Sequence, residues 1–346
     1  MFKIEKSAAR RILARSPNWL GDAIMCLPAI KALSELFEPE RFTVVAADSL
    51  QGLFERYKFI NDVKYVSKGA SSTAHKELKN KGYDAIFLFT NSFRSALDAY
   101  GTRCPIRVGY AGNFRGAFLT HKVPKLIKVH MVDYYLNLVR PFGNGLWPPT
   151  PEFPLLPEEA DYGNGIDGLK GAVAIPLGAN YGKAKCWPHA NIKKLVKLIA
   201  SAGERRVVVL GTDSDRLQAD ALESAAPNTV INLAGKTTIG QLAAVLSRCE
   251  WVVANDSGPL HIAGAVGAKT LAVFGPTDHS RTAPMAECVK IITQEADCSP
   301  CLRRECNRDH RCMKNITAEE IYGYIAGLDP ELYPPIPTED RENNAR

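Results

Sequence analysis

Short apolar, β-branched runs recur along the chain, and most are followed by a longer stretch in which apolar positions return every three or four residues. The runs at 12–14, 42–46, 84–89, 172–176, 205–210, 251–254 and 270–274 have the length and composition of buried strands. The stretches at 22–37, 191–201, 215–224, 239–247 and 260–266 carry the period of helices. Strands alternating with helices build parallel sheets from βαβ units, so the expected fold class is α/β. The alternation breaks at 141–170 (PFGNGLWPPTPEFPLLPEEADYGNGIDGLKG), which is dense in Pro and Gly and reads as a linker or hinge. Two Rossmann-like halves are therefore expected, 1–150 and 170–328. A Pro-rich, then polar, tail follows at 329–346, and its last ten residues are expected to lack structure.

Length and composition narrow this picture. A chain of 346 residues suits two domains, and 46% hydrophobic with 23% charged residues is ordinary for a globular protein. No apolar run approaches the roughly 18 residues that span a bilayer. The first residues lack the apolar core of a signal peptide, so a cytoplasmic location is expected. The net charge of +6 is uneven: residues 1–150 hold 22 Lys and Arg against 12 Asp and Glu, and the remainder 21 against 25. The basic first half either meets an anionic partner or is a solvated surface. Nothing resembles a nucleic-acid motif, and the basic residues are scattered. Nine cysteines, an odd number without a signal peptide, argue against a disulfide framework.

In open parallel sheets ligands gather beyond the carboxyl ends of strands. After the first strand comes Ser16-Pro17-Asn18-Trp19-Leu20-Gly21-Asp22, which is not a dinucleotide-binding glycine motif. Asp22 either caps the helix that follows or acts as a general base, with Trp19 packing over substrate or desolvating the carboxylate. After the strand at 84–89, Arg94 either meets an anionic acceptor or forms a surface ion pair. The loop at 176–188, PLGANYGKAKCWP, offers Lys183 and Lys185 to phosphates or is a solvent-facing loop. The richest stretch is 251–277, a strand–turn–helix–strand unit. Its turn puts Asp256 in reach of hydroxyls. The N–H groups of Ser257, Gly258 and Leu260 and the ring of His261 lie where a helix N-terminus holds phosphate. Finally, Cys298, Cys301, Cys306, His310 and Cys312 cluster without two clean CxxC knuckles, and form either a structural zinc site or a reduced or disulfide-linked loop. Asp213-Ser214-Asp215 formally matches DxD but begins a helix rather than sitting between apolar flanks. No catalytic metal and no cofactor are expected.

Together SPNWLGDAIMCLPAIKAL (16–33), NSFRSAL (91–97), LGANYGKAKCWP (177–188) and NDSGPLHIAGAVGAKTLAVFGPTD (255–278) resemble the ADP-heptose:lipopolysaccharide heptosyltransferases, glycosyltransferase family 9, and most of all their type II members. The resemblance implies a GT-B fold, two Rossmann-like domains facing across a cleft, with the acceptor on the first and the ADP-sugar on the second. It implies inverting, metal-independent transfer of L-glycero-D-manno-heptose from ADP-heptose to heptosyl-Kdo2-lipid A of the lipopolysaccharide core. The setting it implies is the inner face of the cytoplasmic membrane of a Gram-negative bacterium. By the same resemblance Asp22 matches the general base and Lys185 a donor-phosphate ligand. Asp256, Ser257, Gly258, Leu260 and His261 match the donor turn, and Asp215, less closely, an acid for the adenosine ribose. Asn18, Trp19 and Arg94 are the candidate acceptor contacts. The alternatives are a type I or III heptosyltransferase, another nucleotide-sugar enzyme such as an epimerase, and a non-catalytic core-binding protein.

Overall fold

The computed structural model describes residues 4–67, 82–143, 145–179 and 181–328; the tail at 329–346 lies outside them. The chain divides into two compact units, Met1–Pro154 and Leu155–Arg346.

Among the described residues the first unit holds a six-stranded parallel sheet. Its strands are β1 (Arg11–Arg15), β2 (Arg41–Ala47), β3 (Asp62–Val66), β4 (Ala85–Leu88), β5 (Ile106–Tyr110) and β6 (His121–Val123), in the order β3-β2-β1-β4-β5-β6. The central strands are covered on both faces, which explains their unbroken apolar sequence: Ile12, Leu13 and Ala14 are buried, as are Ala85 to Leu88. Helix α1 (Leu20–Phe37) is apolar almost all round, with Ala23 to Ile30 buried without a break. A helix of that kind is covered on every side; α3 (Met131–Leu136) packs on it, and α2 (Phe93–Gly101) follows β4. Phe37, Phe87 and Phe142 meet with ring centroids 5.6–6.4 Å apart.

The second unit repeats the plan. Helix α4 (Pro157–Asn164) precedes β7 (Val173–Pro176), α5 (His189–Ala202), β8 (Val207–Leu210), α6 (Arg216–Ala225), β9 (Val230–Asn232) and α7 (Ile239–Arg248). Then come β10 (Trp251–Asn255), α8 (Gly258–Ala265), β11 (Thr270–Phe274), α9 (His279–Thr282), β12 (Val289–Thr293), α10 (Arg311–Lys314) and α11 (Ala318–Ala326). Its parallel sheet runs β12-β11-β10-β7-β8-β9. Both sheets thus have the 3-2-1-4-5-6 order of a doubly wound Rossmann unit, with a topological switch between the first and fourth strands.

The stretch read as a linker, 141–170, is not irregular throughout. It contains α4, whose Leu156 N–H is capped by Glu159 (2.9 Å) and whose Gly163 lets it lie directly on Ala244 of α7. Pro157 favours this helix, because it stands at N1 where no intrahelical donor is needed.

Candidate active site

In the first unit the switch lies between β1 and β4, and the loops leaving these strands carry the candidate acceptor and base residues. Arg15 ends β1 and holds the first loop. Its guanidinium donates to the carbonyls of Ser16 (2.6 Å) and Val45 (3.2 Å) and to Asn18 Oδ1 (2.6 Å). Burial lowers its pKa to about 10, opposed by Asp98. Asn18 is thus a bonded part of this loop. Trp19 is the N-cap of α1, makes no side-chain cap, and is 52% exposed. Asp22 is the third residue of α1, half-buried, so it lies inside the first turn rather than at the cap position. A carboxylate there is favoured by the helix dipole. Its Oδ1 accepts from the hydroxyl of Tyr135 on α3, at 2.9 Å. Complete burial first, then the charge of Asp22, pushes the Tyr135 hydroxyl well above its usual pKa, so it stays a donor. A tyrosine from 113 residues away therefore touches Asp22, while Trp19 is half exposed.

The loop after β4 meets the same end of the sheet. Asn91 donates to Tyr134 Oη (2.8 Å), and Ser92 caps α2 through Ser95 N–H (3.1 Å). Arg94, exposed on the first turn of α2, forms an i,i+4 ion pair with Asp98 at 2.8 Å. Arg115 is 1% exposed, donates to the Thr90 carbonyl, and leaves Nε and Nη2 without a partner among the described residues.

In the second unit the switch lies between β7 and β10. Gly178, just past β7, has φ +70°, and a side chain there would meet Asp215 Oδ1 at 2.7 Å, so only glycine fits. Lys185 closes a short turn at 183–185 and its Nζ lies 2.6 Å from Asp256 Oδ2, with both side chains largely buried. The same ammonium lies 4.6 Å from the centroid of the Tyr181 ring, which Arg304 approaches to 5.3 Å. Asn255, 4% exposed, ties the two loops together by accepting from Trp187 N–H (2.8 Å) and donating to the Gly178 carbonyl (3.3 Å). Thr277, after β11, donates to Asp256 Oδ2 at 2.7 Å.

Ser257 is the N-cap of α8, and its hydroxyl is buried with no partner among the described residues. Gly258 opens the helix, Pro259 follows, and His261 is 5% exposed. Leu260 departs from the sequence expectation. Its N–H already donates to the Ser257 carbonyl (3.1 Å), as the first turn closes on itself, and its side chain is core. Asp215 follows β8, the second strand of this unit, where an acidic residue can reach a ribose. Its Oδ2 is taken by the N–H and hydroxyl of Thr212, both at 2.8 Å.

The cysteine-rich loop does not gather a metal site: among the described residues no group of three or more His, Cys, Asp or Glu is arranged to hold an ion. His310 spends Nε2 on the Ala184 carbonyl (2.8 Å), Cys312 is buried against Gly275, and Cys306 is exposed. Burial, aided by the other three cysteines, raises the Cys312 thiol to about 11. The loop instead braces the switch-point loops. Leu302 N–H bonds Pro276 (2.8 Å), Ala184 N–H bonds Arg304 (3.0 Å), and Tyr181 Oη bonds Leu302 (2.9 Å).

Sequence reading missed Tyr135, Thr277, Tyr181 and Arg304. Thr277 and Tyr181 were within sight, because they lie on loops that follow strands; the others are brought in by tertiary contacts with no local signal.

The family model described as glycosyltransferase family 9 (heptosyltransferase) matches residues 72–311. Lipooligosaccharide heptosyltransferase 2 of Campylobacter jejuni is 28% identical over 334 residues, covering 92% of this chain and 99% of that protein. The solved structure of Escherichia coli ADP-heptose LPS heptosyltransferase II matches with a TM-score of 0.76 at 23% identity, over 94% of this chain and 100% of that one. An E. coli heptosyltransferase solved with ADP-2-deoxy-2-fluoro heptose matches at 0.69 and 19% identity, over 92% and 99%. These two likenesses identify the fold as that of the GT-B heptosyltransferases. With its family model matched over most of its length, the chain belongs to glycosyltransferase family 9, the heptosyltransferases, and is a glycosyltransferase.

Proposed function

We propose that this enzyme transfers heptose from ADP-heptose to the heptose of the lipopolysaccharide inner core, as a type II heptosyltransferase. The reading rests on the relatives named heptosyltransferase 2 and on one structural observation. Each unit gathers charged groups at its topological switch, a carboxylate in the first and a cationic, N–H-rich helix start in the second.

Inverting transfer needs a base for the acceptor hydroxyl and stabilisation of the departing diphosphate. Asp22 is the base in this scheme, oriented by Tyr135; the hydroxyl loses its proton as its oxygen attacks the anomeric carbon. Lys185, the Ser257 hydroxyl and the N-terminus of α8 receive the charge of leaving ADP. Asp256 fixes the Lys185 ammonium beforehand and offers its other oxygen to a donor hydroxyl. Asp215 lies where the adenosine ribose is reached, while Asn18, Trp19 and Arg94 form the acceptor side. The first unit serves as the acceptor domain and the second as the donor domain. The acceptor is lipid-linked in this reading, so the enzyme works at the cytoplasmic face of the inner membrane. No helix among the described residues is long and apolar enough to cross it.

The test is transfer to purified heptosyl-Kdo2-lipid A with ADP-heptose, against UDP- and GDP-sugars as controls. Turnover with ADP-heptose alone is expected; turnover only with another nucleotide sugar, or none, overturns the reading.

A further inference from the structure

Helix α2 carries its apolar residues on the wrong side for a core helix. Ala96 and Ala99 face the sheet, while Phe93, Leu97 and Tyr100, spaced i, i+4 and i+7 along one stripe, are 44%, 38% and 53% exposed. Phe118 joins this stripe, its ring 5.3 Å from Phe93 and 5.5 Å from Tyr100, both edge-on. Next to it the loop after β5 runs through three consecutive positive φ values, Gly112 (+129°), Asn113 (+49°) and Phe114 (+56°). A bulky residue rarely adopts that conformation, and the strain is commonest where it serves a site. Here it holds Phe114 in solvent, 95% exposed, while Arg115 turns inward. Ile127, after β6, is 79% exposed. Scattered exposed apolar residues need no explanation, but a contiguous set of large ones marks a binding surface.

The charge around this set decides what it binds. Residues 93–128 contain seven Lys and Arg against one acid, Asp98, a surplus of +6 that equals the net charge of the whole chain. Arg94, Arg103, Lys122, Lys125 and Lys128 are exposed. The elements also converge. Strands β4, β5 and β6 are parallel neighbours, so the start of α2, the Phe114 loop and the segment 124–128 all leave the same end of the sheet. That is the end where the Asp22 loop leaves β1. Lys122 reaches back to within 3.8 Å of where a Gly116 side chain would begin.

We propose that this face is a membrane-docking surface. Phe93, Leu97, Tyr100, Phe114 and Ile127 enter the interface of a bilayer, and the surrounding lysines and arginines meet its anionic headgroups. Aromatic and aliphatic side chains ringed by Lys and Arg are what an anionic interface selects, since burial and charge attraction add there. Five exposed bases against one acid make a second copy of the same face a poor occupant, because like charges would meet. The proposal rests on the lipid-linked acceptor of the proposed function, and names the part of the enzyme that brings it to that acceptor.

The experiment is co-sedimentation with vesicles of phosphatidylcholine alone and with equal parts phosphatidylglycerol, alongside two transfer assays. One assay uses acceptor embedded in vesicles and the other the delipidated core oligosaccharide. The wild type is expected to sediment with the anionic vesicles only. Leu97→Ser with Phe114→Asn keeps the fold, because Asn suits the left-handed backbone at 114. That variant is expected to bind at least tenfold more weakly, as is the triple variant Lys122→Glu, Lys125→Glu, Lys128→Glu. Both should transfer to the delipidated acceptor at the wild-type rate and lose transfer to the embedded one. Wild-type protein that stays in the supernatant, or variants that sediment like wild type, overturn the docking surface. So does a dimer split by the apolar variant with vesicle binding unaltered. Failure of the wild type on the delipidated acceptor instead overturns the functional reading and leaves the sedimentation result to decide this one.

Discussion

Replacing Lys185 by methionine separates what this cation does for the fold from what it does for a ligand. Its ammonium lies 2.6 Å from Asp256 Oδ2, and the two side chains are 12% and 5% exposed. Removing one partner of a buried pair leaves an uncompensated charge, a cost of about 3–5 kcal/mol. Thr277 still donates to the same oxygen, so the lower end, about 3 kcal/mol, is expected. For a unit of this size each kcal/mol moves the midpoint by about 2–4 °C, so Lys185→Met should melt about 6–12 °C below wild type by calorimetry. Lys185→Met with Asp256→Asn removes both charges and should recover most of that loss. Titration with ADP should behave differently. The single variant loses a charge-assisted hydrogen bond, about 1.5–3 kcal/mol, or roughly 10- to 150-fold in Kd, and the double variant does not regain it. A single variant that melts with wild type refutes the ion-pair argument. A double variant that regains ADP affinity along with stability refutes direct contact between Lys185 and the donor phosphates.

Asp22→Asn should lower kcat by roughly 10²–10⁴-fold, the usual contribution of a general base, with ADP affinity unchanged; ADP release measured by a coupled assay checks both. Tyr135→Phe should reduce kcat less than Asp22→Asn and cost about 1.5–3 kcal/mol of stability, the worth of a hydrogen bond to a charged group; a Tyr135→Phe enzyme as slow as Asp22→Asn would make the tyrosine more than an orienting group. Full activity should persist in EDTA if, as proposed, Lys185 and the α8 N-terminus supply the positive charge for the leaving group; loss restored by added metal would contradict this. Burial raises the Cys104 and Cys312 thiols to about 11 and Cys249 to about 12, so the native state keeps their protons after the unfolded thiols have lost theirs. Their contribution is full below pH 9, the ordinary value, and is lost as pH rises from there towards 11–12, at about 1.4 kcal/mol per pH unit and thiol. Urea midpoints under reducing conditions should fall between pH 8.5 and 10.5, and a flat profile would count against it.

Most central strands were legible because they are buried on both faces and written in unbroken apolar letters: β11 is found at 270–274 and β1, β2, β7 and β10 within a residue or so of their expected bounds, while β5 (IRVGY), interior but interrupted by Arg107 and Gly109, was missed. The edge strands were not. β3 reads DVKYV, with every residue half-buried, and β12 reads VKIIT with three exposed positions. Charged and half-wet edge positions carry no strong period, and β6 and β9 have three residues each, too few to show one. Helix α2 was missed for a different reason: its exposed apolar stripe faces away from the sheet, so the pattern a core helix should show is inverted.

The site residues divide in the same physical way. Asp22, Lys185 and Asp256 all follow central strands, Asp22 in the first turn of α1 and the other two on loops, so strand recognition alone brings them to the carboxyl edge of a sheet. What sequence order hides is which of those loops meet. Lys185 and Asp256 are 71 residues apart, yet their loops leave β7 and β10, which the strand order makes neighbours. The loops of Asp22 and Asn91 leave β1 and β4, neighbours for the same reason. At that position in each sheet the connections depart to opposite faces, so no crossover helix fills the gap between the two loops. The repeated strand order therefore turns four separate motifs into two paired ones. Tyr135 and Thr277 then reach the carboxylates of those pairs through contacts that no spacing in the chain encodes.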